Sequence, residues 1–139
     1  MRRQDDAQKA ALETIEKAGG KVDRDEKADG KPVVTVNLGV TKATDADLPP
    51  LKAFGSLKKL VLNGTEVTDG GLQAVAEIPS LEKLYLVDTK ISDAGLEHLK
   101  ALPNLKVLSL VGSQVGDGAV EPIKAMPALE EVFLYGSKV

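Results

Sequence analysis

Four aspartates, Asp45, Asp69, Asp93 and Asp117, recur at intervals of 24 residues. A carboxylate row could serve as a metal ladder, but calcium takes roughly six to eight oxygens from a closed cluster. One acid per interval, each where a helix would begin, suits capping at the positive end of a helix dipole instead. A second acidic group, Asp23, Asp25, Glu26 and Asp29, has Arg24 and Lys27 interleaved and reads as a solvated turn. His98 is the single histidine. It shares its place in the interval with Ala74 and Pro122, a solvent-facing helix position, and no acid–base partner recurs beside it. There is no cysteine, which removes disulfides, zinc thiolates and cysteine nucleophiles together. No serine sits in a nucleophile motif, and the glycines follow turns instead of forming a phosphate loop. Lys52, Lys58, Lys59, Lys83, Lys100, Lys106 and Lys124 are scattered among acids, and a net charge of −3 opposes a phosphate-backbone binder. The chain is therefore expected to be no enzyme, to hold no metal or cofactor, and to bind no nucleic acid.

The elements that position these residues follow from the same interval. Val33, Leu57, Leu81, Leu105 and Leu129 share it, as do Val36, Leu60, Leu84, Leu108 and Val132, and Leu38, Leu62, Leu86, Leu110 and Leu134. A hydroxyl column runs Thr41, Thr65, Thr89, Ser113, Ser137, and a short apolar one runs Ala43, Val67, Ile91, Val115, Val139. Further columns are Leu48, Leu72, Leu96, Val120; Leu51, Val75, Leu99, Ile123; and Phe54, Ile78, Leu102, Met126. Leu60-x-Leu62 has the two-residue spacing of a strand, and Leu72, Val75, Ile78 the three-residue spacing of a helix flank. Thr44-Asp45, Thr68-Asp69 and Ser92-Asp93 would supply an N-cap hydroxyl and a carboxylate. Gly116 lacks the hydroxyl, so its cap should be weaker. Pro79, Pro103 and Pro127 end the helices. One strand-plus-helix step cannot bury its own apolar face, so neighbours must stack. The prediction is an α/β solenoid: a short horseshoe arc with a parallel sheet on its concave side and short α-helices on its convex side. Five strands would make that sheet about 20 Å across.

Residues 33–139 resemble the leucine-rich repeat family through Leu-x-x-Leu-x-Leu-x-x-Thr-x-Val/Ile-Ser/Thr-Asp-x-Gly-Leu, read at 57–72 and 81–96. Thr or Ser stands where the family usually has Asn or Cys. The Thr-Asp-x-Gly-Leu ending resembles the cysteine-containing subtype, found in uncharacterised bacterial repeat proteins and in substrate-recognition domains of F-box proteins. The resemblance implies a binding scaffold for a protein partner. Bacterial ubiquitin ligases with such repeats need a catalytic cysteine domain, which has no counterpart here. Relatives of this kind are often exported.

The chain's 139 residues suit one domain, and 42% hydrophobic with 3% aromatic residues requires an aliphatic core. No apolar run approaches the roughly 18 residues a membrane span needs. Met1, Arg2 and Arg3 are followed by Gln4, Asp5 and Asp6, where an export signal would turn apolar. No signal peptide is expected in this chain, and the compartment stays open between cytoplasm and export after trimming. Residues 1–32 break the period. A helix over Ala7–Ala18, capped by Asp5 or Asp6 and with Ala7, Ala11, Ile15 and Ala18 on one face, would end at Gly19-Gly20. An antiparallel excursion from Lys21–Arg24 to Pro32–Leu38 would follow, and the segment reads as an N-terminal cap. Residues 33–139 divide into units 33–56, 57–80, 81–104, 105–128 and a partial 129–139. Beyond Val132–Tyr135 no cap follows, so that strand should be an open edge at which two copies could pair.

The exposed strand positions carry the candidate site. They run Thr35, Lys59, Lys83, Val107, Glu131; Asn37, Val61, Tyr85, Ser109, Phe133; and Gly39, Asn63, Val87, Val111, Tyr135. Three of the four aromatics, Tyr85, Phe133 and Tyr135, fall here, beside Val61, Val87, Val107 and Val111. A solvated sheet face is ordinarily polar, so this stripe points to a protein-binding surface, with Lys59 and Lys83 as a charged rim. The competing explanation is that β-branched and aromatic residues favour strands in any case.

Overall fold

Each interval of 24 residues carries the chain once around an aliphatic core. The computed structural model describes residues 2–138. The chain runs through α1 (Arg2–Ala18), β1 (Lys21–Arg24) and β2 (Val33–Asn37), then 3-10 turns at Asp45–Asp47 and Pro49–Ala53. It continues through β3 (Lys59–Val61), α2 (Asp69–Val75), β4 (Lys83–Tyr85), α3 (Asp93–Leu99) and β5 (Val107–Ser109). A 3-10 turn, Asp117–Ala119, leads into α4 (Val120–Lys124), and β6 (Glu131–Phe133) completes the order. The strands form one sheet in chain order, with β1 antiparallel to β2 and every later pair parallel. The short helices pack against their sequence neighbours, α2 on α3 and α3 on α4. This is the α/β arrangement that the repeat predicts, leucine-rich-repeat-like in its parallel sheet and short helices.

The register follows from the period. Leu60 pairs with Leu84, Leu84 with Leu108 and Leu108 with Val132, with no offset between units. Leu57, Leu62, Leu81, Leu86, Leu105 and Leu110 are likewise fully buried. Each such side chain is worth about 1.5–3 kcal/mol for its removal from water. Phe54 is the one buried aromatic. In the first unit Pro49 and Pro50 replace an α-helix with 3-10 turns, because Pro removes N–H donors from the ladder.

Where each strand ends, the chain reverses through a left-handed residue. Val40, Gly64, Asp88, Gly112 and Gly136 have φ of 53°, 65°, 54°, 69° and 74°. Each of the first four donates its N–H to a carbonyl of the next unit: Val40 to Asn63 (2.7 Å), Gly64 to Val87 (2.8 Å), Asp88 to Val111 (2.8 Å) and Gly112 to Tyr135 (3.0 Å). The glycines at 64, 112 and 136 announced this column. Val40 and Asp88 hid it.

The aspartates act differently from the sequence expectation. Neither Thr68 nor Ser92 makes a side-chain cap bond within its own unit. Instead the Thr68 hydroxyl donates to Asp45 and the Ser92 hydroxyl to Asp69, one unit back. The same carboxylates accept the backbone N–H of Thr68 (2.7 Å) and Ser92 (2.7 Å). Asp93 accepts the Gly116 N–H at 2.7 Å, and no hydroxyl is there to add a second bond. Asp45, Asp69 and Asp93 are thus clasps between units. A Cβ placed at Gly71 or Gly95 would lie 2.5 Å from the Asp45 or Asp69 carboxylate, so the clasp also requires glycine there.

Four further expectations need correction. Val120 does not fill the column of Leu48, Leu72 and Leu96; it is 40% exposed, and Ala119 is buried in its place. The preceding turn is 3-10, with about 3.0 residues per turn against 3.6, which rotates the fourth residue roughly 60° from the core. Gly118 accordingly makes the close approach to Asp93 that Gly71 and Gly95 make to their clasps. Helix α1 begins at Arg2, so Asp5 lies inside its first turn and caps nothing. Ala7 is exposed on that helix, whereas Ala11 and Ile15 are buried as expected. His98 is half-buried on α3 rather than open to solvent. Val139, assigned to a core column, lies outside the described residues.

Both ends of the sheet differ from its middle. β1 is polar and largely exposed, with Val22 alone half-buried, and it covers one edge of β2. Helix α1 packs on the 3-10 turn Pro49–Ala53, where Gln8 Nε2 donates to the Ala53 carbonyl at 3.1 Å. At the other end β6 pairs only with β5 among the described residues, and Val132 and Leu134 are half-buried.

Candidate functional site

Alternation along each three-residue strand sets the site. Leu60, Leu84 and Leu108 turn inward, so the residues on either side of each turn outward onto the other sheet face. The parallel register then brings them into rows. Lys59 stands beside Lys83, Lys83 beside Val107 and Val107 beside Glu131; Val61 stands beside Tyr85, Tyr85 beside Ser109 and Ser109 beside Phe133. Val61, Tyr85, Val87, Val107 and Val111 are half-buried. Phe133 is 45% exposed and Tyr135 86% exposed. The register thus brings Lys59, Val61, Lys83, Tyr85, Val107 and Phe133 together in rows, while Val87, Val111 and Tyr135 lie just beyond the ends of β4, β5 and β6.

Two local contacts shape the face. The Lys59 ammonium lies 5.4 Å from the centre of the Tyr85 ring. Such a cation–π contact contributes about 0.5–1 kcal/mol at an exposed site. Ser109 is only 4% exposed although it sits in an outward row. It stands between Tyr85 and Phe133 in the row, a small residue flanked by two aromatic ones. A sequence row of Tyr, Ser, Phe at one interval carries that arrangement once the register is known.

The two asparagines of the face are engaged by the backbone. Asn37 Oδ1 accepts the Gly39 N–H at 2.8 Å, and Asn63 Oδ1 accepts the Val87 N–H at 2.9 Å. Lys59 and Lys83 are not so engaged: the four ion pairs of the described residues use Lys31, Lys52, Lys90 and Lys100. In the Lys90–Glu66 pair the hydrogen bond to Glu66, reinforced by its charge, holds the ammonium above its ordinary value of 10.5. That pair is open to water and lies between turns, away from the sheet face.

A cavity of about 390 Å³ lies elsewhere, between α1 and the turn at Pro49, lined by Ala7, Ala10, Pro49, Pro50, Lys52 and Ala53, none of which belongs to the sheet face. It lacks the convergent polar groups that orient a ligand. Among the described residues no group of three or more His, Cys, Asp or Glu side chains is placed to hold a metal ion. No described helix is long and apolar enough to cross a membrane.

Comparison with known proteins bears on the repeat. The family model described as Leucine Rich repeat matches residues 56–76 and 77–100, which include β3 with α2 and β4 with α3. No curated protein matches the chain. Among solved structures, the leucine-rich repeat ectodomain of the receptor kinase SOBIR1 from Arabidopsis thaliana is similar at 17% identity and a TM-score of 0.49, covering 95% of this chain and 93% of that one.

Proposed function

We propose that this chain, whose central units match the leucine-rich repeat model, is a non-enzymatic module that binds a protein partner on its open sheet face. Domains built on such repeats generally mediate protein–protein contact. The observation that carries the reading is the outward stripe of Val61, Tyr85, Val87, Val107, Val111, Phe133 and Tyr135, which no helix covers. Aromatic residues anchored in a shallow apolar patch are the usual source of interface affinity. In this reading Tyr85, Val87, Val111, Phe133 and Tyr135 are anchors, and Lys59 and Lys83 form the charged rim. Residues 1–32 act as the N-terminal cap of the repeat units in 33–139. The test is affinity capture from native lysate with the parent chain and a Tyr85→Ala, Phe133→Glu variant. Loss of a specific partner at an unchanged melting temperature is expected. Capture that survives both changes would sink the proposal.

A second reading is favoured by the exposure of Phe133 and Tyr135 on and just after β6, the edge strand. Two copies would pair through that edge, with the two rings covered on both sides. Light scattering across a concentration series separates the readings, since a strict monomer at high concentration removes the second.

A further inference from the structure

Lys59 and Lys83 are direct neighbours in the β3–β4 register. Like charges in that relation repel, and strands avoid placing them so unless something offsets them. Within the described part of the chain only the Tyr85 ring, beside Lys59, does so, and Lys83 has no such partner. Neither lysine forms an ion pair, and the two acids of the same row stand one strand further off, Asp23 beyond Thr35 on β1 and Glu131 beyond Val107 on β6. The Tyr85 ring holds the Lys59 ammonium at 5.4 Å, close over the face. Two lysines whose strands are one spacing apart, about 4.8 Å, can both reach one carboxylate with their long side chains. From this pair the apolar ground of Val87, Val107 and Val111 leads to Phe133 and Tyr135.

We infer that the face takes an extended acidic and apolar protein segment, its carboxylate held between Lys59 and Lys83 and an apolar side chain seated at Phe133 and Tyr135. The inference rests on the sheet-face reading above and adds the chemistry of the partner. The two ends of the site are separated by two strand spacings across the sheet and two to four residues along it, or about 12–16 Å. An extended segment covers that distance in about four or five residues. A phosphate backbone fits less well: beyond the two lysines the outward rows on β3 to β6 offer no further cation and carry Glu131, and the chain has a net charge of −3.

The probe is a phage-displayed random dodecapeptide library panned on the full chain, with recovered peptides then labelled for fluorescence anisotropy. Recovered peptides are expected to share an Asp or Glu about four or five residues from an aromatic or aliphatic side chain. Their affinity should fall about tenfold on Lys83→Glu, and further when Lys59→Glu is added. Lys83→Gln removes the charge without reversing it and should give a smaller loss. Because Lys83→Glu replaces a like-charged neighbour pair with an opposite one, its melting temperature should not fall below the parent's. Peptides without acidic enrichment that are lost on Phe133→Glu but indifferent to both lysine changes overturn this inference and leave the sheet-face reading standing. Peptides indifferent to all three changes overturn both. No recovered peptide, or binding of a single-stranded oligonucleotide where peptides fail, also overturns the inference.

Discussion

Val40 carries a β-branched side chain at φ 53° and is 87% exposed. A left-handed conformation costs an L-residue about 1–2 kcal/mol, and so exposed a side chain recovers little of that by packing. Val40→Gly is therefore expected to stabilise the chain by about 0.5–1 kcal/mol, after allowing for the greater freedom of unfolded glycine. Gly112 occupies the same place three units later, and an added Cβ there would run into the Asp88 carboxylate. Gly112→Ala should cost at least about 1–2 kcal/mol. Urea unfolding of the two variants checks the pair, and the opposite signs are the point: one backbone position, two local surroundings. Val40→Gly without gain would mean that its side chain makes a contribution its exposure conceals.

The unit is where sequence reading was strongest and also where it erred. Strands, inward leucines and the outward rows were legible because a period of two inside a period of 24 leaves one arrangement that buries Leu57, Leu60 and Leu62. The Asp-hydroxyl pairs were visible too, but a single unit considered alone offers only its own helix as their partner. The neighbouring carboxylate enters when units stack, so Thr68 and Ser92 were assigned to capping. The slip at Val120 was hidden for a related reason, since it depends on whether the turn at Asp117 winds as 3-10 or α. Gly116 lets the clasp be tested. Its backbone is extended, and a Cβ there would meet only ordinary contacts at 3.8–3.9 Å. Gly116→Ser should add the hydroxyl that Thr68 and Ser92 supply and raise stability by about 1–2 kcal/mol. Repeating the change in an Asp93→Asn background separates the two explanations. A cross-unit clasp should lose most of the gain there, whereas an in-unit cap would keep it.

At the scale of the molecule, stability is a sum over neighbours. Leu86 has a unit on either side and is fully buried, so Leu86→Ala should cost roughly 2–5 kcal/mol. Leu134 is half-buried beyond β6, and the same change there should cost distinctly less. Equal costs, measured by urea unfolding at one protein concentration, would show that the edge is covered in solution and would favour pairing of two copies.

The clasps have one more consequence, for how such a chain changes length. The three clasped junctions are made from the same parts, an aspartate in front and an N–H with or without a hydroxyl behind. Excising residues 70–93 would join Asp69 to Ala94 and bring Asp69 opposite Gly116, with each inward column still occupied. Duplicating that stretch would do the reverse, each copy arriving with its own donor and acceptor. The molecule can be shortened or extended one strand at a time, about 4.8 Å per step, without a new joint having to be invented.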